Sequence, residues 1–180
     1  MNTQSHDEKL TNSLAVAMVE QPRGTLKELA EAAGISKATL HRFCGTRENL
    51  TLILLDKSIN VLQKIKEISE NPHQEANTIF EKLVNYHLEK KEILRFLCSI
   101  YPSEEAESWV NYFKSLECFF FHAQKKGIYR VDISAALLAE FFASIVCGVI
   151  DAERKGKIAS LDLAKHINIL FMEGILNKPK

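Results

Sequence analysis

Between Ser36 and Arg47 the charged side chains are Lys37, Arg42 and Arg47, all positive, with His41 among them and no acid. Such a set suits a polyanion. Lys37, Thr39 and His41 carry donors that fit base edges, and the methyl of Ala38 fits a thymine methyl. Arg42 and Arg47 suit phosphates. Ser36, if it opens a helix, can hold a phosphate together with the helix N-terminal amides. The candidate chemistry is therefore recognition of duplex DNA. A helical hairpin with a merely solvated basic face is the plainer alternative for three charges.

For that recognition the residues must stand on a rigid element. Thr25 followed by Glu28 has the spacing of a capping box, which starts a helix. Leu26, Leu29, Ala30 and Ala33 follow at helical spacing, and Gly34 is suited to the left-handed conformation that ends one. Ile35 plugs the turn, Ser36 caps a second helix from about Lys37 to Phe43, and Leu40 and Phe43 point inward. Small residues at Ala30 and Ala33 allow a close crossing. Two short helices crossing sharply form a helix-turn-helix whose second helix enters a major groove.

Leu29-Ala30, Gly34-Ile35-Ser36-Lys37, Thr39-Leu40 and Arg47-Glu48-x-Leu50 resemble the N-terminal signature of the TetR family of one-component repressors. The run from Pro22 to Leu50 is similar, more closely, to NfxB-type repressors of multidrug efflux operons, and the likeness continues through residues 123–157. Carried over position by position, the resemblance implies DNA contacts from Thr25, Lys37, Ala38, Thr39, His41, Phe43 and Arg47. It also implies an effector cavity in the body of the chain and a dimer. Two positions depart from the family pattern: His41 stands where a tyrosine is usual, and Gly45 where a proline is usual before the next helix. Operator preference therefore does not carry over.

The chain has 180 residues and no net charge, so any attraction to nucleic acid is local. Residues 1–66 hold nine Lys/Arg against seven Asp/Glu and the remainder fourteen against sixteen, a slight asymmetry of the right sign. The four cysteines show no paired spacing and the N-terminus has no signal-peptide pattern, which reads as a reduced, cytoplasmic protein. The fold expected is all-α: a three-helix DNA-binding head in residues 1–50 and a helical effector-binding and dimerisation body in 51–180. Ser5 with Glu8 opens the first helix, which runs to Pro22. Thr46 to Asn71 lacks both Gly and Pro, so one helix of about 25 residues leads from head to body and can act as a lever.

In the body, a helix beginning near Ser103 carries a dense aromatic face. Aromatics at this spacing are more often core than ligand box; as a pocket wall the candidates are Phe96, Tyr101, Trp109, Phe113 and Phe120, with Glu140 a candidate for a cationic effector. Ile133 to Ile150 holds one charge, Glu140, and reaches the length of a membrane span; the central carboxylate and polar serines favour a buried packing helix. Its Leu138, Ala139, Phe142, Ala143 and Val149, with Leu163, Ile167, Leu170 and Phe171 of the last helix, are the candidate dimer interface, a C2 four-helix arrangement.

No metal or cofactor is expected. Cys118 and His122 lie one helical turn apart but lack further ligands of fitting spacing. His41 and Cys44 lack an orienting acid, so an enzyme is remote. The expected partners are a double-stranded DNA operator, a second copy of the chain and an unknown small-molecule effector, with no membrane. The competing reading is a helical interaction protein whose basic head binds without sequence choice.

Overall fold

The computed structural model describes residues 3–71, 73–100 and 107–175, and the side chains of 7–71, 73–100 and 107–173. Among the described residues the chain is helical, in the order α1 (Thr3–Glu20), α2 (Leu26–Ala32), α3 (Lys37–Cys44), α4 (Arg47–Ser69), α5 (Ala76–Glu89), α6 (Lys91–Ile100), α7 (Glu107–Lys125), α8 (Ala135–Arg154) and α9 (Leu163–Ile175), with a short 3-10 turn at Ser160–Asp162. The all-α expectation is met. α1 starts at Thr3, ahead of Ser5. The helix start expected at Ser103 lies outside the described residues, and α7 is described from Glu107.

One compact unit takes residues 1–61 and 90–104. Here α1 packs on α2 and α6, and α2 on α3. Leu14, Ala15 and Ala17 of α1, Leu29 and Ala30 of α2, Leu40 of α3, Leu50 and Leu54 of α4, and Phe96 and Leu97 of α6 are its buried core. Lys90, just before α6, pairs with Glu8 of α1. Contacts thus group α6 with the helices of the N-terminus, although sequence order puts it after α5. A boundary at residue 50 falls inside α4, which is unbroken from Arg47 to Ser69.

The second unit holds residues 62–89 and 105–180. α8 packs between α7 and α9, and α5 lies against both α8 and α9. Its centre is aromatic. The Phe80 ring stacks on Phe171 with centroids 5.2 Å apart and meets Phe142 edge-on at 5.6 Å. Phe120 is enclosed by Phe142 and Phe171 at 6.2 and 5.5 Å. Each ring buried this way contributes about 2–3 kcal/mol by leaving water. α8 is long and apolar enough to cross a membrane by composition, yet Leu138, Ala139, Phe142, Val146, Val149 and Ile150 are buried within this unit.

His87 of α5 is fully enclosed here. Its Nδ1 lies 2.7 Å from the Leu83 carbonyl oxygen and its Nε2 3.0 Å from the Tyr112 hydroxyl. The carbonyl can only accept, so Nδ1 carries the proton and Nε2 accepts from the tyrosine. Burial pushes the pKa of this imidazole down to about 4, against a partial upward pull from the Leu83 carbonyl.

Candidate nucleic-acid interface

The reader is built by local hydrogen bonds. Thr25 is extended at φ −70°, ψ 161°, its Oγ1 accepts from the Glu28 amide at 3.3 Å, and its own amide donates to Glu28 Oε2 at 2.7 Å. The Thr25 hydroxyl also donates to that carboxylate, at 2.8 Å. These bonds from Thr25 hold the Glu28 carboxyl below its ordinary pKa. With both its protons committed to Glu28, Thr25 is first a helix cap. Contact with a phosphate from this hydroxyl requires it to leave Glu28.

At the other end of α2, Gly34 turns at φ +70°, and the Ile35 amide closes back on the Ala30 carbonyl at 2.9 Å. A side chain at this φ is strained for an L-residue. Ser36 then caps α3, its Oγ accepting from the Thr39 amide at 3.0 Å and sharing a proton with Thr39 Oγ1 at 2.9 Å. Leu40 and Cys44 face inward, while Phe43 is half-buried. The inward pair is thus spaced by four, not the three expected from Leu40 and Phe43. Cys44 donates from Sγ to the Leu40 carbonyl, and burial pushes its thiol pKa up, so it stays protonated and unreactive.

The opposite face of α3 carries the residues expected to contact DNA. Lys37, Ala38, His41 and Arg42 are exposed and Thr39 is half-buried. Lys37 and His41 lie one above the other at i, i+4, as do Ala38 and Arg42. This face has cations, a methyl and no carboxylate. The first amides of α3 have no intrahelical acceptor and point the same way as its positive dipole end. Gly45 ends the helix at φ +74°. A proline, fixed near φ −65°, could not adopt this turn, so the glycine at the family's usual proline position changes how α3 hands over to α4.

Arg47, a further expected DNA contact, is hydrogen-bonded within the chain. Its Nε donates to the Gly24 carbonyl at 3.2 Å and its Nη2 to the Pro22 carbonyl at 2.5 Å. The guanidinium ties the short link before α2 to the start of α4. Sequence spacing gave no sign of this bond across 23 residues; the unanswered carbonyls of a short link were the available clue.

The chain is 45% identical over 179 residues to the HTH-type transcriptional regulator NfxB of Pseudomonas aeruginosa, covering 96% of each protein. It belongs to the NfxB-type transcriptional regulators. Solved structures place this NfxB-type chain in the TetR fold. The ketosteroid regulator KstR2 of Mycobacterium tuberculosis matches with TM-score 0.70 and 15% identity over 99% of this chain and 97% of its own. PfmR of Thermus thermophilus, a TetR family regulator, gives 0.62 and 16% over 95% and 96%. A SmeT–triclosan complex gives 0.58 and 11% over 95% and 91%. No family model matches the chain. NfxB-type proteins are transcriptional regulators and not enzymes.

The residues expected to wall an effector cavity are placed differently from one another. Phe96 is fully buried in α6, in the unit of the reader. Trp109 and Phe113 are half-buried and pack around Tyr112, with centroids 5.5 and 5.0 Å from its ring. Phe120 is part of the closed ring cluster, and Tyr101 lies outside the described residues. Glu140 is exposed, and Arg154 pairs with Asp151 at 3.5 Å. The carboxylate in the apolar helix is thus in contact with water.

Of the nine residues expected at a dimer interface, Leu138, Ala139, Phe142, Val149, Leu163, Ile167 and Phe171 are buried inside the unit. Their surface packs into the chain's own core. Ala143 is half-buried and Leu170 is exposed. On α8 and α9 the large apolar side chains that face outward, among the described residues, are Leu137, Phe141, Ile169 and Leu170.

Proposed function

We propose that the chain is a cytoplasmic homodimeric repressor that holds a roughly palindromic operator through α3 and releases it when a small hydrophobic effector binds the body. The observation that carries this reading is the exposed, acid-free face of Lys37, Ala38, His41 and Arg42 on a helix capped at Ser36 and set by the Gly34 turn. Ser36, Thr39, Phe43 and the amides at the start of α3 complete the contact set, with Arg47 holding the reader together. Residues up to about 50 act as the DNA-binding part and the remainder as the effector and dimerisation part, with α6 bracing α1. The outward apolar residues of the adjacent helices α8 and α9 favour a two-fold four-helix interface. The effector half of the reading is supported by a protein of the same fold in complex with triclosan. Control of efflux genes follows from the likeness to NfxB-type repressors.

The test is an anisotropy titration of purified protein against the DNA upstream of its own gene, with random duplex as competitor at physiological salt. A tight complex, favoured over random duplex by about a thousandfold or more, and lost in Lys37→Ala with His41→Ala while helicity is retained, is the expected result. Binding no better than to random duplex, combined with a genome-wide selection that returns no motif, would overturn it.

A further inference from the structure

On α8 the positions that point away from the chain's own core follow one line. Ser134, Leu137, Phe141, Ser144 and Gly148 are exposed and Asp151 is half-buried, with steps of three, four, three, four and three residues between them. An average step of about 3.5 residues keeps such a seam facing a partner helix along its whole length. Leu138, Phe142, Val146 and Val149 are buried on the other side.

Gly148 has no explanation within one chain. It sits in the interior of α8, where glycine is among the least favoured residues, and it is not one of the glycines with positive φ. A Cβ built there would meet nothing within 4 Å. Neither the backbone nor the chain's own packing requires the missing side chain. What it permits is close approach from outside.

The seam has the same spacing in either direction, and on reversal its sizes are complementary. Laid antiparallel on a second copy about an axis between Phe142 and Ala143, it sets Leu137 over the partner's Gly148 and Phe141 over the partner's Ser144. Each pair then occurs twice, as an isologous contact requires and a contact with an unrelated protein does not. At the ends, Asp151, held by Lys155 at 2.9 Å and Arg154 at 3.5 Å, comes beside the partner's Ser134, at the positive end of a helix, where a carboxylate is favoured. Other registers lose this fit. A slip of one heptad sets Leu137 on the partner's Phe141 in one direction and Ser144 on the partner's Gly148 in the other, large on large or small on small.

We propose that two copies of the chain pair with α8 antiparallel on α8 in this one register, Gly148 receiving the partner's Leu137 and Ser144 receiving the partner's Phe141. The proposal rests on the homodimer of the reading above and deepens it. Gly148 becomes the residue that decides which chains pair, because a side chain there turns the partner's leucine away.

The test measures the dimer dissociation constant of the full chain by sedimentation equilibrium, with helicity and operator binding read for every variant. Gly148→Leu enters open space in its own chain, so it is expected to keep the helicity of the wild type and to raise the dimer constant about a hundredfold. Adding Leu137→Ala is expected to restore the constant to within about tenfold of wild type, whereas adding Leu170→Ala, outside the seam, is not. Ser144→Phe with Phe141→Ala repeats the exchange at the second pair. A Gly148→Leu dimer as tight as wild type, or two exchanges that both fail to restore pairing, would overturn the register. Wild-type chain that stays monomeric would overturn the second copy as occupant and assign the seam to another partner. A dimer that shows both rescues yet selects no duplex keeps the seam and fails the repressor reading instead.

Discussion

Arg47 Nε donates across 3.2 Å to the carbonyl of Gly24, so the first residue of α4 fixes the residue that precedes the cap of α2. A second bond from the same fork, to Pro22, makes the hold two-pronged. A lysine cannot reproduce that geometry. Arg47→Ala and Arg47→Lys are both expected to lower stability by about 1–2 kcal/mol, read as a lower urea midpoint. Because the donors are committed to carbonyls, the salt dependence of DNA binding should stay as in the wild type. Arg42→Ala should instead leave stability unchanged and reduce the salt slope by about one. A reduced slope for Arg47→Ala would show that this side chain neutralises phosphate.

His87 makes the second unit sensitive to acid. Its folded pKa, about 4, lies below the ordinary 6.5, so the unfolded chain binds the proton more readily. Stability is therefore whole above pH 6.5 and falls as pH drops from there toward 4. The loss approaches an order of 3 kcal/mol. Urea unfolding at pH 7, 5.5 and 4 should show this decline, and His87→Gln should flatten its share of it. A wild-type midpoint unaffected over that range would mean the imidazole is not enclosed in solution.

Phe141 and Phe142 are neighbours with opposite environments: the first is 47% exposed and the second 0%. Phe141→Asp is expected to leave the fold intact and turn a dimer into a monomer in sedimentation equilibrium. Phe142→Ala is expected to cost about 3–5 kcal/mol by leaving a cavity among Phe80, Phe120 and Phe171. A Phe141→Asp protein that still sediments as a dimer would move the interface off the outer face of α8 and α9.

What could be read in advance follows the range of the interaction. The Thr25–Glu28 cap, the Gly34 turn and the Ser36 cap each involve residues within a few positions, so spacing in the chain already is geometry. Spacing pointed to an inner face of α3 at Leu40 and Phe43, three apart, and the fold buries Cys44, four from Leu40, instead. In α8 the difficulty is different. Leu137, Leu138, Phe141 and Phe142 are all apolar, and a helix with apolar residues all round has no polar side to orient it. The residues expected to meet a second chain pack within the first. The Arg47 clamp and the packing of α6 on α1 join residues far apart in the chain, and no local pattern announces them.

The packing of α6 on α1 also limits how this regulator can be rebuilt. Recombination of one-piece segments at the end of the reader would transplant α1 without the stretch of chain that covers it. The inner residues of α1, among them Leu14 and Ala17, would then meet whatever the new host supplies at that place. A working chimera must import residues 90–100 along with 1–61, two separate inserts whose surfaces are already matched. Transfer of the reader is thus tied to a segment on the far side of α5.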